Sequence, residues 1–193
     1  TGMANLEEIS NAVETAKENG CQDIILLHCI SSYPAPVEQT NLRTIPDLAE
    51  RFGVLVGLSD HTMGTTVATT SVAMGACIIE KHFTLSRLEK GPDSDFSLEP
   101  SELKQLCKDT KIAWKSLGKA GYELKKAEEI SSKYRRSIYA IQDIKKGEGL
   151  TTKNIKRIRP GFGLKPKYWD QVLLLKASCD IARGTPISFQ EIK

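Results

Sequence analysis

The three histidines of the chain, His28, His61 and His82, each follow a short apolar run closely. In parallel α/β folds the catalytic side chains lie just beyond the carboxyl ends of the strands. If the apolar runs are strands, the three imidazoles lie along one edge of a sheet. Imidazole can transfer protons near neutral pH and can bind a divalent metal ion, so this edge is the first place to expect chemistry.

His61 and His82 have the most informative spacing, because they end consecutive apolar runs. Neighbouring parallel strands lie about 4.8 Å apart, so both rings can reach one metal ion and leave its other positions for water and substrate oxygens. Glu80 shares a strand face with His82, whereas Lys81 points to the opposite face and to a salt bridge there. Hydrogen-bonded structural histidines are the alternative for this pair, and for His28 that alternative is favoured.

The elements that position these residues alternate between strand and helix signals over residues 1–118. Apolar runs begin near residues 24, 54 and 76, and helical patterns separate them, as in the βα units of a parallel sheet. A capping box at Asn5 and Glu8 predicts the first helix, and Pro100 predicts the start of the last one. Three strands are too few for a closed barrel, so the chain is either a small open α/β layer or the latter part of a larger α/β domain, and we expect the second.

The last third of the chain has a different character. Residues 119–133 are charged and lack periodicity, which predicts a linker. Residues 134–193 contain short β-type runs between turn signals, and the predicted runs are Ser137–Ile141, Ile155–Ile158 and Ala177–Ile181. Residues 1–133 carry 14 Lys and Arg against 19 Asp and Glu, a net charge of −5, and residues 134–193 carry 13 against 5, a net charge of +8. The positive charges are spread out, which favours an anionic substrate or an acidic partner domain over a nucleic acid.

The composition is that of an ordinary globular protein, with 40% hydrophobic and 26% charged residues in a chain of 193. No apolar run approaches the ~18 residues of a membrane-spanning helix, and the first residues lack the pattern of a signal peptide. The five cysteines are scattered, odd in number and form no C-x-x-C pair. A disulfide framework is therefore not expected, and a reducing, cytoplasmic compartment is predicted.

Five sequence motifs occur in order along the chain. They are Leu27–Pro36, Gly57–Thr62, Ile79–Thr84, Gly91–Ser94 and Ile158–Gly161. Together they resemble the sialic acid synthase family, also called the nonulosonate synthases, over essentially the whole chain. The resemblance implies an α/β fold in which the C-terminal part of a (β/α)8 TIM barrel, residues 1–118, is followed by a small β-rich antifreeze-like (SAF) domain, residues 134–193.

The resemblance also implies a reaction, in which phosphoenolpyruvate condenses with an acylamino sugar to give a nine-carbon 2-keto sugar acid and phosphate. His61 and His82 would hold a divalent cation, Mn²⁺ or Mg²⁺, and Glu80 and Asp93 would be catalytic. Arg159 would reach the barrel of a partner subunit in a domain-swapped homodimer. The substrate-binding residues would be Ser31, where the family often has Asn, with Tyr33, Ser59 and Arg159.

Within the family, the run from Gly91 to Ser97 is most similar to pseudaminic acid synthases, with N-acetylneuraminate and legionaminate synthases as alternatives. Family members carry a further half-barrel before these motifs, so we expect the 193-residue chain alone to be inactive. Two other functions stay open: a non-catalytic sugar-binding module in residues 134–193, and a barrel lyase or aldolase. The latter needs a Schiff-base lysine, and Lys81, the only candidate, points away from Glu80 and His82.

Overall fold

The computed structural model describes all residues, 1–193, and the chain divides into two compact units, Thr1–Lys119 and Ala120–Lys193. The first unit alternates helices with parallel strands, and the second is smaller. The elements of the first unit are α1 (Leu6–Glu18), β1 (Ile25–Cys29), α2 (Thr44–Phe52), β2 (Leu55–Asp60), α3 (Thr66–Ala73), β3 (Ile79–Lys81) and α4 (Pro100–Leu117). The elements of the second are α5 (Glu129–Ser132), β4 (Ser137–Ala140), β5 (Ile155–Ile158) and α6 (Trp169–Val172). Short 3-10 helices cover Val37–Gln39, Ser94–Phe96, Lys126–Glu128 and Pro166–Tyr168.

The two longest helices begin with the caps that their sequences predict. Asn5 accepts a hydrogen bond from the Glu8 N–H, and the Glu8 carboxylate accepts one from the Asn5 N–H. The helix α4 begins in the same way with Glu99 and Glu102, and Pro100 occupies its first turn. Such bonds satisfy amides that have no partner inside the helix, and a cap stabilises a helix by about 1 kcal/mol. None of the helices combines the length and the apolar character that crossing a membrane requires.

The sheet of the first unit is parallel, with the strand order β1–β2–β3. Cys29 pairs with Ser59, and Ser59 pairs with Glu80, so the carboxyl ends of the three strands meet at one edge. One face of β2 packs against α2, α3 and α4 and forms the main hydrophobic core. The buried members of this core are Ile45, Leu48, Val56, Leu58, Ala68, Leu98 and Leu106.

Large apolar side chains in the strands of the sheet and directly before β3 remain exposed. Ile25, Leu55 and Ile78 are 41%, 61% and 43% exposed. Alternation places Ile25 and Leu55, which are register partners, on the face opposite Val56 and Leu58. The first unit therefore leaves apolar sheet surface in contact with solvent.

The second unit has its own core around an antiparallel pair, β4 and β5, in which Ser137 faces Ile158. At Gly163 an added Cβ would lie 2.5 Å from the Ile138 carbonyl oxygen, so only glycine lets the two segments approach this closely. The buried residues of this core are Ile138, Ala140, Ile144, Leu150, Ile155, Val172, Ala177, Ile181, Ile187 and Ile192.

Three predicted β segments have different bounds in the structure. The segment predicted as Ser137–Ile141 ends one residue earlier, at Ala140. The third strand of the first unit begins at Ile79, later than the predicted start near residue 76, and continues to Lys81, because Glu80 and Lys81 pair with Ser59 and Asp60. The predicted strand at residues 177–181 is wrong as a continuous element. It is replaced by isolated bridges from Ala177 to Ile192 and from Ile181 to Ile144, since turns interrupt the pairing after each.

The segment predicted as a linker, residues 119–133, carries local structure and lies almost entirely within the second unit. A 3-10 turn, Lys126–Glu128, leads into α5. The Lys125 N–H donates to the Glu128 carboxylate at 3.0 Å, which caps this turn. The charged side chains that suggested a linker therefore take part in short-range capping.

Candidate active site at the strand ends

His61 and His82 stand side by side at the carboxyl ends of β2 and β3. Their ring centroids are 5.1 Å apart, and the ring planes are nearly perpendicular, at 80°. His61 is buried, with 7% of its surface exposed, whereas the side chain of His82 is 30% exposed. The pair therefore forms a partly open site, in which one imidazole is enclosed by protein and the other can be reached from solvent.

The contact at His61 Nδ1 determines which ring nitrogen is free. Nδ1 lies 2.9 Å from the carbonyl oxygen of Ile30, and a carbonyl oxygen can only accept a hydrogen bond. Nδ1 therefore donates a proton, and the neutral ring keeps its lone pair on Nε2. A carbonyl oxygen bonded to one ring nitrogen is the arrangement that orients metal-binding histidines.

The backbone of His82 is held by the long loop that follows it. The His82 carbonyl oxygen accepts a hydrogen bond of 2.8 Å from the Leu98 N–H, and Leu98 also bridges to Phe83 in parallel. His82 Nδ1 lies 3.6 Å from Asp93 Oδ2, an electrostatic contact longer than a hydrogen bond. The return of the loop to the strand end thus brings Asp93 next to the histidine.

Arg87 ties this loop to the start of α4. Its guanidinium donates two hydrogen bonds to the Glu102 carboxylate, and its backbone N–H donates to the Glu99 carboxylate at 2.9 Å. The hydrogen bond from Arg87 holds the pKa of Glu102 below its usual range, and the Glu99 N–H adds to this effect. The loop is therefore fixed between the strand end and a capped helix.

Two aromatic rings pack around the histidines. Tyr33 lies 4.3 Å from His61 and 5.8 Å from His82, measured between ring centroids. Phe96 lies 4.9 Å from His82 and 5.9 Å from Tyr33. Phe96 is buried and Tyr33 is 55% exposed. We call Tyr33, His61, His82 and Phe96 the aromatic cluster, in which Phe96 forms the floor and Tyr33 the exposed side.

Ser59 and Glu80 add a polar group next to the aromatic cluster. They are register partners on β2 and β3, and Ser59 Oγ donates a hydrogen bond of 2.7 Å to Glu80 Oε1. Ser59 is buried and Glu80 is exposed. The serine thus orients one carboxylate oxygen and leaves the other outside this bond, so Glu80 can still accept a proton or orient a water molecule.

The other predicted site residues are placed as follows. Ser31 is exposed and reaches the cluster through Cys29, whose Sγ lies 4.0 Å from Ser31 Oγ and 3.7 Å from His61 Nδ1. Arg159 belongs to the second unit and is exposed directly after β5. His28 is buried and bonds the Thr40 carbonyl oxygen at 2.6 Å, which is the structural role that the sequence favoured.

Two residues of the site were not predicted. Cys29 follows His28 in the first motif and belongs to the row of side chains that includes Ser59 and Glu80, so strand alternation could have identified it. Phe96 comes from a short 3-10 helix in the loop after β3, and its position depends on how that loop folds back. No spacing rule in the sequence specifies this return.

The donor set fits a divalent cation with open positions. Each metal–imidazole bond is about 2 Å long, so two rings whose centroids are 5.1 Å apart are close enough to share one ion. His61 presents a free Nε2 lone pair. The structure contains no group of three or more His, Cys, Asp and Glu side chains arranged to hold a metal, so the candidate protein ligands are the two imidazoles. The remaining coordination positions would belong to water and substrate oxygens, as in catalytic rather than structural sites.

Both units match known protein families. The model of the NeuB family matches residues 1–122, and the model of the SAF domain matches residues 135–193. A pseudaminic acid synthase of Campylobacter jejuni is 40% identical over 193 residues, covering the whole chain and 56% of that protein. An N,N'-diacetyllegionaminic acid synthase of the same species is 42% identical over 176 residues, covering 90% of the chain and 53% of that protein.

Two solved structures are also similar. The crystal structure of an N-acetylneuraminic acid synthetase from Leptospira borgpetersenii has a TM-score of 0.61 and 38% identity, and covers 67% of this chain and 45% of its own. The spore coat polysaccharide biosynthesis protein SpsE of Bacillus subtilis has a TM-score of 0.58 and 32% identity, and covers 100% of this chain and 60% of its own. The chain spans about half the length of the curated relatives that it matches.

Proposed function

The chain belongs to the NeuB family, and we propose on this basis that the complete protein is a nonulosonate synthase. It condenses phosphoenolpyruvate with an acylamino sugar and releases a nine-carbon 2-keto sugar acid and phosphate. The observation that carries the proposal is the pair of imidazoles 5.1 Å apart at the ends of neighbouring parallel strands. The similarity to the Campylobacter synthases supports the same class of reaction.

His61 and His82 are the residues proposed to hold a divalent cation, Mn²⁺ or Mg²⁺. When bound, such a cation supplies Lewis-acid polarisation of a substrate oxygen. The Ile30 carbonyl keeps His61 in the tautomer that leaves Nε2 free. Phe96 packs on His82 and excludes water from one side of that ring.

The polar residues are proposed to divide between binding and proton transfer. Ser31, Tyr33 and Ser59 bind phosphoenolpyruvate, whose enol carbon forms the new bond to the sugar aldehyde carbon. The C=O π bond of the aldehyde breaks, and its oxygen takes the electron pair and a proton to become a hydroxyl. A water molecule adds to the carbon that bears the phosphate ester, and phosphate leaves when that C–O bond breaks. Glu80, held by Ser59 at 2.7 Å, takes the proton of this water, and Asp93 orients the sugar hydroxyls.

The proposal also includes the parts of the protein beyond this chain. Residues 1–118 form the C-terminal part of a (β/α)8 barrel, and the apolar sheet surface exposed at Ile25, Leu55 and Ile78 supports a missing portion that covers it. The SAF domain delivers Arg159 to the barrel of a partner subunit in a domain-swapped homodimer. The 193-residue chain alone is then inactive, and the complete enzyme works in the cytoplasm.

The favoured sugar is a diacetamido-trideoxy-altrose, which makes the product pseudaminic acid. The resemblance of the run from Gly91 to Ser97 to pseudaminic acid synthases supports this choice. N-acetylmannosamine and the legionaminic acid precursor are the alternatives, since a legionaminic acid synthase is similarly related to the chain. Asp93 lies within this run and beside His82, where it can contact the sugar.

The test incubates the complete protein with phosphoenolpyruvate and each of the three sugars, with Mn²⁺ or after chelation. Phosphate release and the product mass are measured. We expect product from the altrose derivative, and a loss of at least about 100-fold on chelation or in His61→Ala and His82→Ala. Product from a different sugar would change the assigned sugar substrate and leave the proposed class of reaction in place.

A surface variant provides the control. Asp47 is paired with Arg51 on the exposed face of α2 at 2.7 Å, and Asp47→Asn should keep full activity. Undiminished turnover in both histidine variants would contradict the proposed role of the imidazole pair. Turnover of none of the three sugars by the folded complete protein would contradict the proposed reaction.

A further inference from the structure

Asp60 and Lys81 form a buried ion pair directly before the two histidines. Lys81 Nζ lies 2.8 Å from Asp60 Oδ2, and the two side chains are only 3% and 1% exposed. They are also register partners, the last residues of β2 and β3. The ion pair therefore joins the two strands at their last residues, directly before the histidine that follows each strand.

The same two side chains also hold the residue after His61. Asp60 Oδ1 accepts a hydrogen bond of 2.9 Å from the Thr62 N–H, and Lys81 Nζ donates to the Thr62 carbonyl oxygen. The backbone on both sides of His61 is thus tied to one ion pair. On the other strand, Lys81 is covalently adjacent to His82.

Stability alone does not explain a buried ion pair at this position. Removing two charges from water is costly, and replacing such a pair with apolar side chains of similar volume is often neutral or stabilising. The position of the pair is its distinctive feature, since it lies on the face opposite the Ser59–Glu80 bond. Together the two contacts fasten the ends of β2 and β3 from both faces.

We propose that Asp60 and Lys81 are positioning residues, which set the separation and orientation of His61 and His82 and touch neither substrate nor metal. The inference rests on the proposed function, because it assigns to the ion pair the alignment of two imidazoles for one cation. Metal-binding rings depend on the groups that orient them, and loss of such groups typically weakens metal binding by about 10- to 100-fold.

The decisive variant is the double replacement Asp60→Leu with Lys81→Met in the complete protein, which removes both charges and keeps apolar volume. Three quantities are measured: the Mn²⁺ dissociation constant by titration calorimetry, the melting temperature without metal, and the ¹⁵N shifts of the histidine rings without metal. We expect Mn²⁺ binding and kcat to fall about 10- to 100-fold, with an unchanged or higher melting temperature and displaced ring signals. The KM for phosphoenolpyruvate should change far less than kcat.

The exposed pair of α2 gives a matched control. The double replacement Asp47→Asn with Arg51→Met removes an ion pair of similar length from the surface and should change none of the three quantities. Mn²⁺ affinity within threefold of wild type, with unchanged ring signals, in the folded Asp60→Leu, Lys81→Met protein would overturn the positioning role. If that variant does not fold, Asp60→Asn is judged by the same criteria.

Failure of the proposed function gives a different result. In that case His61→Ala leaves Mn²⁺ binding and activity unchanged in the otherwise wild-type protein. The ¹⁵N ring shifts of the double variant then decide the positioning role without any metal. Displaced signals support it, and wild-type signals overturn it.

Discussion

Replacing Gly57 with alanine should push β3 away from β2 and disturb the strand ends that carry the site. A Cβ at this position would lie 2.4 Å from the Ile78 carbonyl oxygen and 2.6 Å from Leu27 Cδ2. The leucine side chain can rotate away, whereas the carbonyl belongs to the backbone directly before β3. Since carbon contacts are normally about 3.5 Å or more, that backbone must move by about 1 Å.

The destabilisation caused by Gly57→Ala depends on the contacts that must move. Overpacking typically destabilises by about 1–3 kcal/mol. The Ile78 carbonyl oxygen also accepts the Leu58 N–H at 2.9 Å, and loss of this bond costs about 1 kcal/mol. The smaller entropy of the unfolded alanine chain offsets about 0.4–1 kcal/mol. The expected net destabilisation is about 1–3.5 kcal/mol.

Amide hydrogen exchange at Leu58 measures this effect directly, because its N–H makes the bond that is lost. A change of about 1–3.5 kcal/mol corresponds to exchange about 5- to 300-fold faster, at about 1.4 kcal/mol per factor of ten. Activity of the complete protein should fall about 100-fold, since a displacement of about 1 Å at a site has that effect.

Gly149 provides the control for this substitution. No atom lies within 4 Å of an added Cβ there, and its φ is not in the left-handed region. Gly149→Ala should therefore leave activity unchanged and stabilise by at most about 1 kcal/mol. Leu58 exchange within threefold of wild type in Gly57→Ala, with normal activity, would refute the argument that β2 and β3 meet too closely for a side chain.

Two further predictions concern the loop after β3. The hydrogen bond from Arg87 lowers the pKa of Glu102, so this carboxylate stabilises the fold above its ordinary pKa and stops doing so as pH falls through the lowered value. The melting temperatures of wild type and Glu102→Gln should therefore differ near pH 7 and converge once the pH is below the lowered pKa of Glu102, whereas a difference that does not change with pH would contradict the assignment. Phe96→Leu should cost about 1–2 kcal/mol and reduce activity more than Phe189→Leu in the second unit, because only the first removes a ring from His82; equal activities would contradict this.

Local rules predict the parts of the fold that depend on neighbouring residues. The capping box at Asn5 and the proline at the start of α4 identify two helices, because their bonds join residues three apart. Strand alternation likewise predicts that Lys81 points away from Glu80 and forms a salt bridge, which the contact with Asp60 confirms.

The features that the sequence does not reveal depend on contacts between distant segments. Phe96 reaches His82 only because Leu98 bonds the backbone at the end of β3. The bridges of Ala177 and Ile181 join partners 15 and 37 residues away, Ile192 and Ile144, and single bridges leave no periodic pattern. Prediction from spacing fails at both places for the same reason, since a loop can return to many positions at similar entropic cost.

The register of β2 and β3 connects the specificity of the fold to the composition of the site. In the observed register Ser59 lies beside Glu80 and Asp60 beside Lys81. A slip by one residue could place Asp60 beside Glu80, so two carboxylates would be adjacent and Lys81 would lose its partner in the interior. It would also turn each side chain of β3 to the other face relative to β2. Such a slip would leave buried charges without partners, which costs about 3–5 kcal/mol. The charges that bring little net stability therefore favour the register in which both imidazoles lie on the same face at the strand ends.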